Sequence, residues 1–361
     1  MAFRFFGYVA GRVVAFMHWV RPEGRRELPI QTALRLRNFE DAHEIIRKRE
    51  NLEATDDNGE TALHSASAYS HDDVVNMLLN AGVNPNPVNN RGERPIHIVC
   101  ALAMTPTNIR ILYLLLTADA DPNAITPDGK SPLGISVFWG IFEYVRLLLD
   151  NGAKVNMKNF EGDTFLHTAA LGDHVKVASI LLDRGANPND VNEAGDSPLH
   201  IAAREGHEEF TALLLEKGAE TGLQNKYGET AIHVAARNGN SETVSLIVQK
   251  DPSQLDAVSI YGNTALHYAS YYGNEITCKT LIFFRADPRI SNNDDETAHQ
   301  ISKNDHIYQM LIKYWRGTRS RVSTSKRSPS DVVHPEEQDV STLSSSSSTG
   351  GDTPSSSTAR N

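Results

Sequence analysis

The chain has 361 residues, 40% of them hydrophobic, and a formal net charge of −10, so either one extended domain or two compact ones can be built. The acidic balance argues against nucleic acid as the main partner, because duplex binding relies on Lys and Arg neutralising phosphates. Only two cysteines occur, Cys100 and Cys278, both at apolar positions of predicted helices, which argues against a disulfide framework or zinc module and points to a reducing compartment.

Residues 1–24 form an apolar amphipathic segment. No acid occurs before residue 23, and Phe5, Val9, Val13, Phe16 and Val20 share one helical face, opposite Arg4, Gly7, Gly11, Ala15 and His18. The apolar run is shorter than the ~20 residues that span a bilayer, and Arg12 near its middle would cost about 2.5–3.5 kcal/mol there. Spanning is therefore not expected. Three readings stay open: a helix lying on a membrane surface through residues 1–22, a cap packed against the first repeat, or a targeting peptide carrying Arg4, Arg12 and Arg21.

From residue 25 to 316 the sequence repeats. One six-residue pattern recurs as Thr61-Ala62-Leu63-His64-Ser65-Ala66, Arg94-Pro95-Ile96-His97-Ile98-Val99, Ser131-Pro132-Leu133-Gly134-Ile135-Ser136 and Thr164-Phe165-Leu166-His167-Thr168-Ala169. It returns from Ser197, Thr230 and Thr264, with degenerate copies from Leu28 and Thr297. Successive starts are 33, 33, 37, 33, 33, 33, 34 and 33 residues apart, which makes nine units. The Thr or Ser suits a helix N-cap, where its hydroxyl accepts a backbone N–H, and Pro95, Pro132 and Pro198 suit the first helical position. Upstream, Gly59, Gly92, Gly129, Gly162, Gly195, Gly228 and Gly262 mark hairpin tips. Downstream, Val177, Ile180 and Leu181, or Phe210, Leu213 and Leu214, have the spacing of a buried helical face. Gly82, Gly152, Gly185 and Gly218 then end the second helix as left-handed caps. Arg285 and Asp251 replace that Gly, Gly134 and Gln300 replace the motif His, and four extra residues around Thr105-Pro106-Thr107-Asn108 lengthen the third unit.

Beyond residue 316 the composition changes. Lys313, Arg316, Arg319, Arg321, Lys326 and Arg327 make a basic stretch, and Ser, Thr, Gly and Pro dominate to the end. Residues 317–361 cannot bury enough apolar area to offset their ordering entropy and are predicted to be disordered. Thr324 follows Arg319 and Arg321, and Ser328 and Thr353 each precede Pro, so all three are candidate phosphorylation sites.

A hairpin tip followed by two antiparallel helices, with the Thr-Pro-Leu-His-x-Ala motif, resembles the ankyrin-repeat family across residues 25–316. The resemblance implies an all-α solenoid, a right-handed stack of helix-turn-helix units with hairpin fingers. It also implies a concave groove that binds protein, built from residues flanking the hairpin Gly and from the end of the first helix. Those positions hold Phe138, Trp139, Phe160, Leu171, Tyr227, Ile260, Tyr261, Tyr271 and Tyr272 here, while other units place polar residues there, such as Asp57, Asn58, Asn90, Arg91, Arg204 and Glu205. Aromatic side chains at such positions are the usual anchors of protein interfaces.

Six motif histidines, His64, His97, His167, His200, His233 and His267, invite a metal reading. Successive units stack roughly 10 Å apart, whereas zinc holds nitrogens at about 2 Å, so these rings are expected to bond backbone between units instead. Gly129-Lys130-Ser131 resembles the end of a phosphate loop, but Ala124 stands where its first Gly belongs. No Gly-x-Ser-x-Gly elbow, His-Glu-x-x-His helix or Cys-x-x-Cys pair occurs, so no enzyme activity, cofactor or metal is expected. The sequence thus predicts a monomeric, cytoplasmic or nuclear adaptor for a protein partner. Its rivals are a scaffold tethered to a membrane by the N-terminal segment and a regulatory inhibitor of a signalling protein or enzyme.

Overall fold

A computed structural model describes residues 28–324, with side chains described for residues 28–317. The N-terminal segment 1–24, Ser328 and Thr353 lie outside the described residues, and of Thr324 only the backbone is described.

Helices come in pairs, each pair following a finger. The first five pairs are Pro29–Arg35 with Phe39–Lys48, Ala62–Ala68 with Asp72–Asn80, Pro95–Ala101 with Pro106–Thr117, Pro132–Phe138 with Phe142–Asp150, and Phe165–Leu171 with Val175–Asp183. Three more are Pro198–Glu205 with Glu208–Glu216, Ala231–Asn238 with Ser241–Lys250, and Ala265–Tyr272 with Glu275–Phe283. First helices pack on neighbouring first helices and second helices on second helices, so the units stack in one row. Among the described residues there is no strand, only isolated antiparallel bridges at Lys158–Thr164 and Ser291–Thr297. None of these helices is long and apolar enough to cross a membrane.

The third motif position supplies the core. Leu63, Ile96, Leu133, Leu166, Leu199, Ile232 and Leu266 are each no more than 1% exposed. The hairpin and terminal glycines all have positive φ, from 64° at Gly228 to 89° at Gly185, a conformation that costs any other residue because of its Cβ. Arg285, standing in for a terminal Gly, takes that conformation anyway, with φ 72°. The four-residue insertion lengthens the second helix of the third unit: Thr105 caps it by accepting the Asn108 N–H at 3.1 Å, and Pro106 starts it.

Two features depart from the sequence reading. In the ninth unit the first helix is reduced to a turn over residues 298–301. His299 stands there at the third motif position, so the apolar anchor that holds the other first helices is missing. Its ring lies instead 5.8 Å from Trp315. The last helix, Asp305–Thr324, also runs past the boundary drawn at 316. Residues 317–324 are therefore helical rather than irregular, because extending a helix that already exists costs far less than nucleating one.

The motif histidines join units rather than bind ions. In all six, Nδ1 accepts the N–H of the N-cap residue at 3.1–3.2 Å. On the other side of each ring, Nε2 donates to a carbonyl of the next unit, on Glu93, Ala124, Asp196, Glu229, Ala257 or Glu296, at 2.8–3.1 Å. One ring therefore caps its own helix and holds the next finger. The hydroxyls of Thr61, Thr164, Ser197, Thr230 and Thr264 bond the same Nδ1. Where Gly134 replaces His, the Ser131 hydroxyl accepts the Gly134 N–H directly at 3.0 Å. Gln31 reproduces the bridge in the first unit, accepting from Leu28 N–H at 3.3 Å and donating to the Glu60 carbonyl at 2.5 Å.

Both bonds require a neutral ring protonated on Nε2. Burial pushes all six imidazoles below their ordinary value of 6.5, His64 and His233 to about 4. The unfolded chain thus binds more protons below pH 6.5, so stability is full above that pH and falls as pH drops towards 4. We predict that His200→Ala destabilises by about 2–4 kcal/mol, since the buried Ser197 N–H and Glu229 carbonyl lose their partner. His200→Gln should retain most of the stability, as Gln31 does, and should flatten the loss between pH 6.5 and 4. Urea unfolding at pH 7 and pH 5 measures both effects.

Candidate partner-binding groove

The fingers are shaped by a side chain three residues before the hairpin tip. The Asn225 amide oxygen accepts the N–H groups of Tyr227 at 2.9 Å and Glu229 at 3.1 Å, and Asn159, Asn192 and Asn292 do the same in their own fingers. In the eighth finger the Ser259 hydroxyl accepts the Tyr261 N–H at 3.3 Å. These Asx-type turns close on themselves. Neighbouring fingers are then joined by backbone bonds, from Glu193 to Glu161, Lys226 to Ala194, Ile260 to Tyr227 and Asn293 to Tyr261, at 3.0–3.3 Å. A second tie runs behind the first helices. His71, His174, Asn240 and Asn274 each donate to a carbonyl at the end of the preceding first helix, on Leu34, Phe138, Ala203 and Ala236, at 2.8–3.2 Å.

Most of the candidate groove residues are exposed on this frame: Phe138, Phe160, Leu171, Tyr227, Ile260, Tyr261, Tyr271 and Tyr272. Two of them also support their neighbours. The Phe160 ring lies against Gly129 so closely that a Cβ there would come within 2.7 Å of it, and Ile260 packs the same way on Gly228. Even so, Phe160 stays 76% exposed. Trp139 differs from the others, being half-buried at the C-cap of its helix, edge-on to Phe138 with centroids 5.2 Å apart. It follows the helix end instead of lying on it, so part of its ring is packing surface.

The polar step between the aromatic groups is locked. Arg204 pairs with buried Asp196, and Arg237 with buried Glu229 at 2.7 Å. Burial pushes the Asp196 carboxyl up, but Arg204 and Asn225 more than reverse this and leave it below the ordinary carboxylate value. An open cleft of about 400 Å³ was not foreseen from the sequence. It is lined by Asn263, His267, Tyr268, Tyr271, Tyr272, Asn292, Asp294, Glu296 and Ile301. The spacing of Tyr268, Tyr271 and Tyr272 at i, i+3 and i+4 was the available signal. Among the described residues no group of three His, Cys, Asp or Glu side chains could hold a metal ion.

A family profile described as "Ankyrin repeats (3 copies)" matches residues 30–124, 81–159, 100–192, 155–225 and 199–294 in overlapping stretches. The chain belongs to the ankyrin-repeat family. Among curated relatives, the human "Ankyrin repeat and SOCS box protein 16" is 30% identical over 43% of this chain and 33% of its own length. "Tyrosine-protein kinase HTK16" of Hydra vulgaris is 33% identical over 32% of this chain and 15% of its own. Human "Neurogenic locus notch homolog protein 2" is 33% identical over 37% of this chain and 5% of its own. The chain thus spans a third or less of the length of these relatives.

Because the ankyrin core does not use the exposed rings, we predict that Tyr227→Ala and Tyr261→Ala change folding stability by no more than about 0.5 kcal/mol. Trp139→Ala, which strips a half-buried ring, should cost about 1–3 kcal/mol. Urea melts of the three variants check the division between surface and support.

Proposed function

We propose that this ankyrin chain is a non-enzymatic adaptor that holds a protein partner in the groove formed by its fingers and first helices. One observation carries the reading: Tyr227, Ile260, Tyr261, Tyr271 and Tyr272 stand exposed on adjacent units whose fingers are hydrogen-bonded to one another. Large rings left in water on a rigid frame cost little entropy when a partner covers them. The ankyrin fold itself, a module for protein interaction, supports the same reading. So do the relatives, in which the matched units form a third or less of a longer chain. Two free, buried cysteines support a cytoplasmic or nuclear setting.

Proximity labelling in cells tests this with three forms of the full chain: wild type, the double variant Tyr261→Ala/Tyr272→Ala, and Phe283→Ala on a second helix, where the ring is also exposed. A partner recovered by wild type and Phe283→Ala should be lost with the double variant, each tyrosine contributing about 2 kcal/mol of binding. Equal recovery by all three forms would contradict a groove-bound partner.

A further inference from the structure

The cleft between the eighth and ninth units has a chemistry of its own. Three tyrosines of the helix Ala265–Tyr272 form one wall. Tyr268 is fixed by a hydrogen bond from its hydroxyl to the Ser259 hydroxyl at 3.4 Å and by edge-on contact with the His233 ring, centroids 5.8 Å apart. Tyr271 and Tyr272 meet edge to face at 5.1 Å. The facing wall is the ninth finger, which brings Asp294 and Glu296 to the rim. Both are exposed, and neither is paired with a cation among the described residues. The finger is held in place by the Asn292 amide, which donates to Asn263 at 3.1 Å, and by the His267 bond to the Glu296 carbonyl.

A cation already uses one of these rings. The Lys303 ammonium sits 3.7 Å from the Tyr271 centroid, where the negative face of the ring attracts it. An apolar side chain entering the cleft would strip water from Asp294 and Glu296 without pairing them, and an anion would be repelled. A guanidinium meets both walls at once, because its plane stacks on tyrosine while its fork of donors reaches carboxylates. We infer that this cleft seats an arginine side chain of the bound partner segment, with Lys303 as a weaker resident cation that the arginine displaces. The inference rests on the groove reading above and adds the chemistry of one anchor to it.

The probe is a fluorescein-labelled heptapeptide of Gly, Ser and Ala with one central Arg, compared with its citrulline twin, which keeps the shape and removes the charge. Anisotropy titrations with the full chain should show the Arg peptide binding at least about tenfold more tightly. Asp294→Asn/Glu296→Gln and Tyr271→Leu should each erase that preference. Glu208→Gln/Glu209→Gln, which removes two exposed carboxylates elsewhere, should keep it. Lys303→Gln should tighten Arg-peptide binding about threefold by removing the competitor, whereas Lys250→Gln should not. The inference is overturned by equal affinity for the two peptides, by no Arg-peptide binding up to about 1 mM, or by an equal loss from the remote double neutralisation. Such a result beside a cellular partner still lost with Tyr261→Ala/Tyr272→Ala would remove the arginine and leave the groove reading standing. If that partner were retained, the groove reading would fall as well.

Discussion

An imidazole at six of the eight unit interfaces, accepting on Nδ1 and donating from Nε2, is the interaction on which the rest of the stack depends. A single ankyrin unit here offers first helices of seven or eight residues, too short to persist alone in water. Each ring ends that isolation in two ways, by pairing an N–H that its own helix cannot satisfy and by holding a carbonyl of the next finger. Removing the ring leaves two buried polar groups without partners, which is more costly than the loss of an ordinary surface hydrogen bond. The pattern also ties the stack to pH, since a protonated ring cannot accept at Nδ1.

The groove is a consequence of that ladder. Finger pitch is set at the base by the histidines, at the tips by backbone bonds such as Lys226 to Ala194, and behind the helices by Asn240 and Asn274. With the core positions filled by Leu, Ile, Val and Ala, rings such as Tyr227 and Tyr261 have no interior to enter. They remain on the surface in fixed positions, where ordering costs on binding are low. The Arg204–Asp196 and Arg237–Glu229 pairs withdraw two basic side chains from the same surface. Asp294 and Glu296 of the ninth finger stay exposed on that surface.

Much of this was legible in the sequence because its causes are local. The Thr or Ser cap, the Pro after it, the buried third position and the left-handed glycines all act within a few residues, so the period and the helix pairs could be read directly. The spacing of the histidines excluded an ion shared between units, and the expected backbone bonds are present on all six rings. Features that depend on the next unit were harder to see. Gln31 looked like a degenerate motif, yet its amide reproduces the imidazole bridge across 29 residues to Glu60. The ninth first helix is reduced to a turn where His299 replaces the apolar anchor and the last helix starts at Asp305, eight residues after Thr297, instead of the eleven or twelve that the other units leave. The half-burial of Trp139 depends on its place at a helix end, and the tyrosine cleft exists only because Asp294 and Glu296 arrive from a separate finger. Composition placed the end of order at residue 316, but the helix that starts at Asp305 carries eight residues beyond it.

The central claim is that six neutral rings, protonated on Nε2, couple the units. Nitrogen-15 spectra of imidazole-labelled protein, titrated from pH 7.5 towards acid, measure tautomer and charge at each ring directly. For His64, His97, His167, His200, His233 and His267 the account predicts the Nε2-protonated tautomer, with the ring still neutral below its ordinary value of 6.5, and at His64 and His233 down to about 4. Rings that titrate near 6.5 in the folded protein, or that carry their proton on Nδ1, would contradict it.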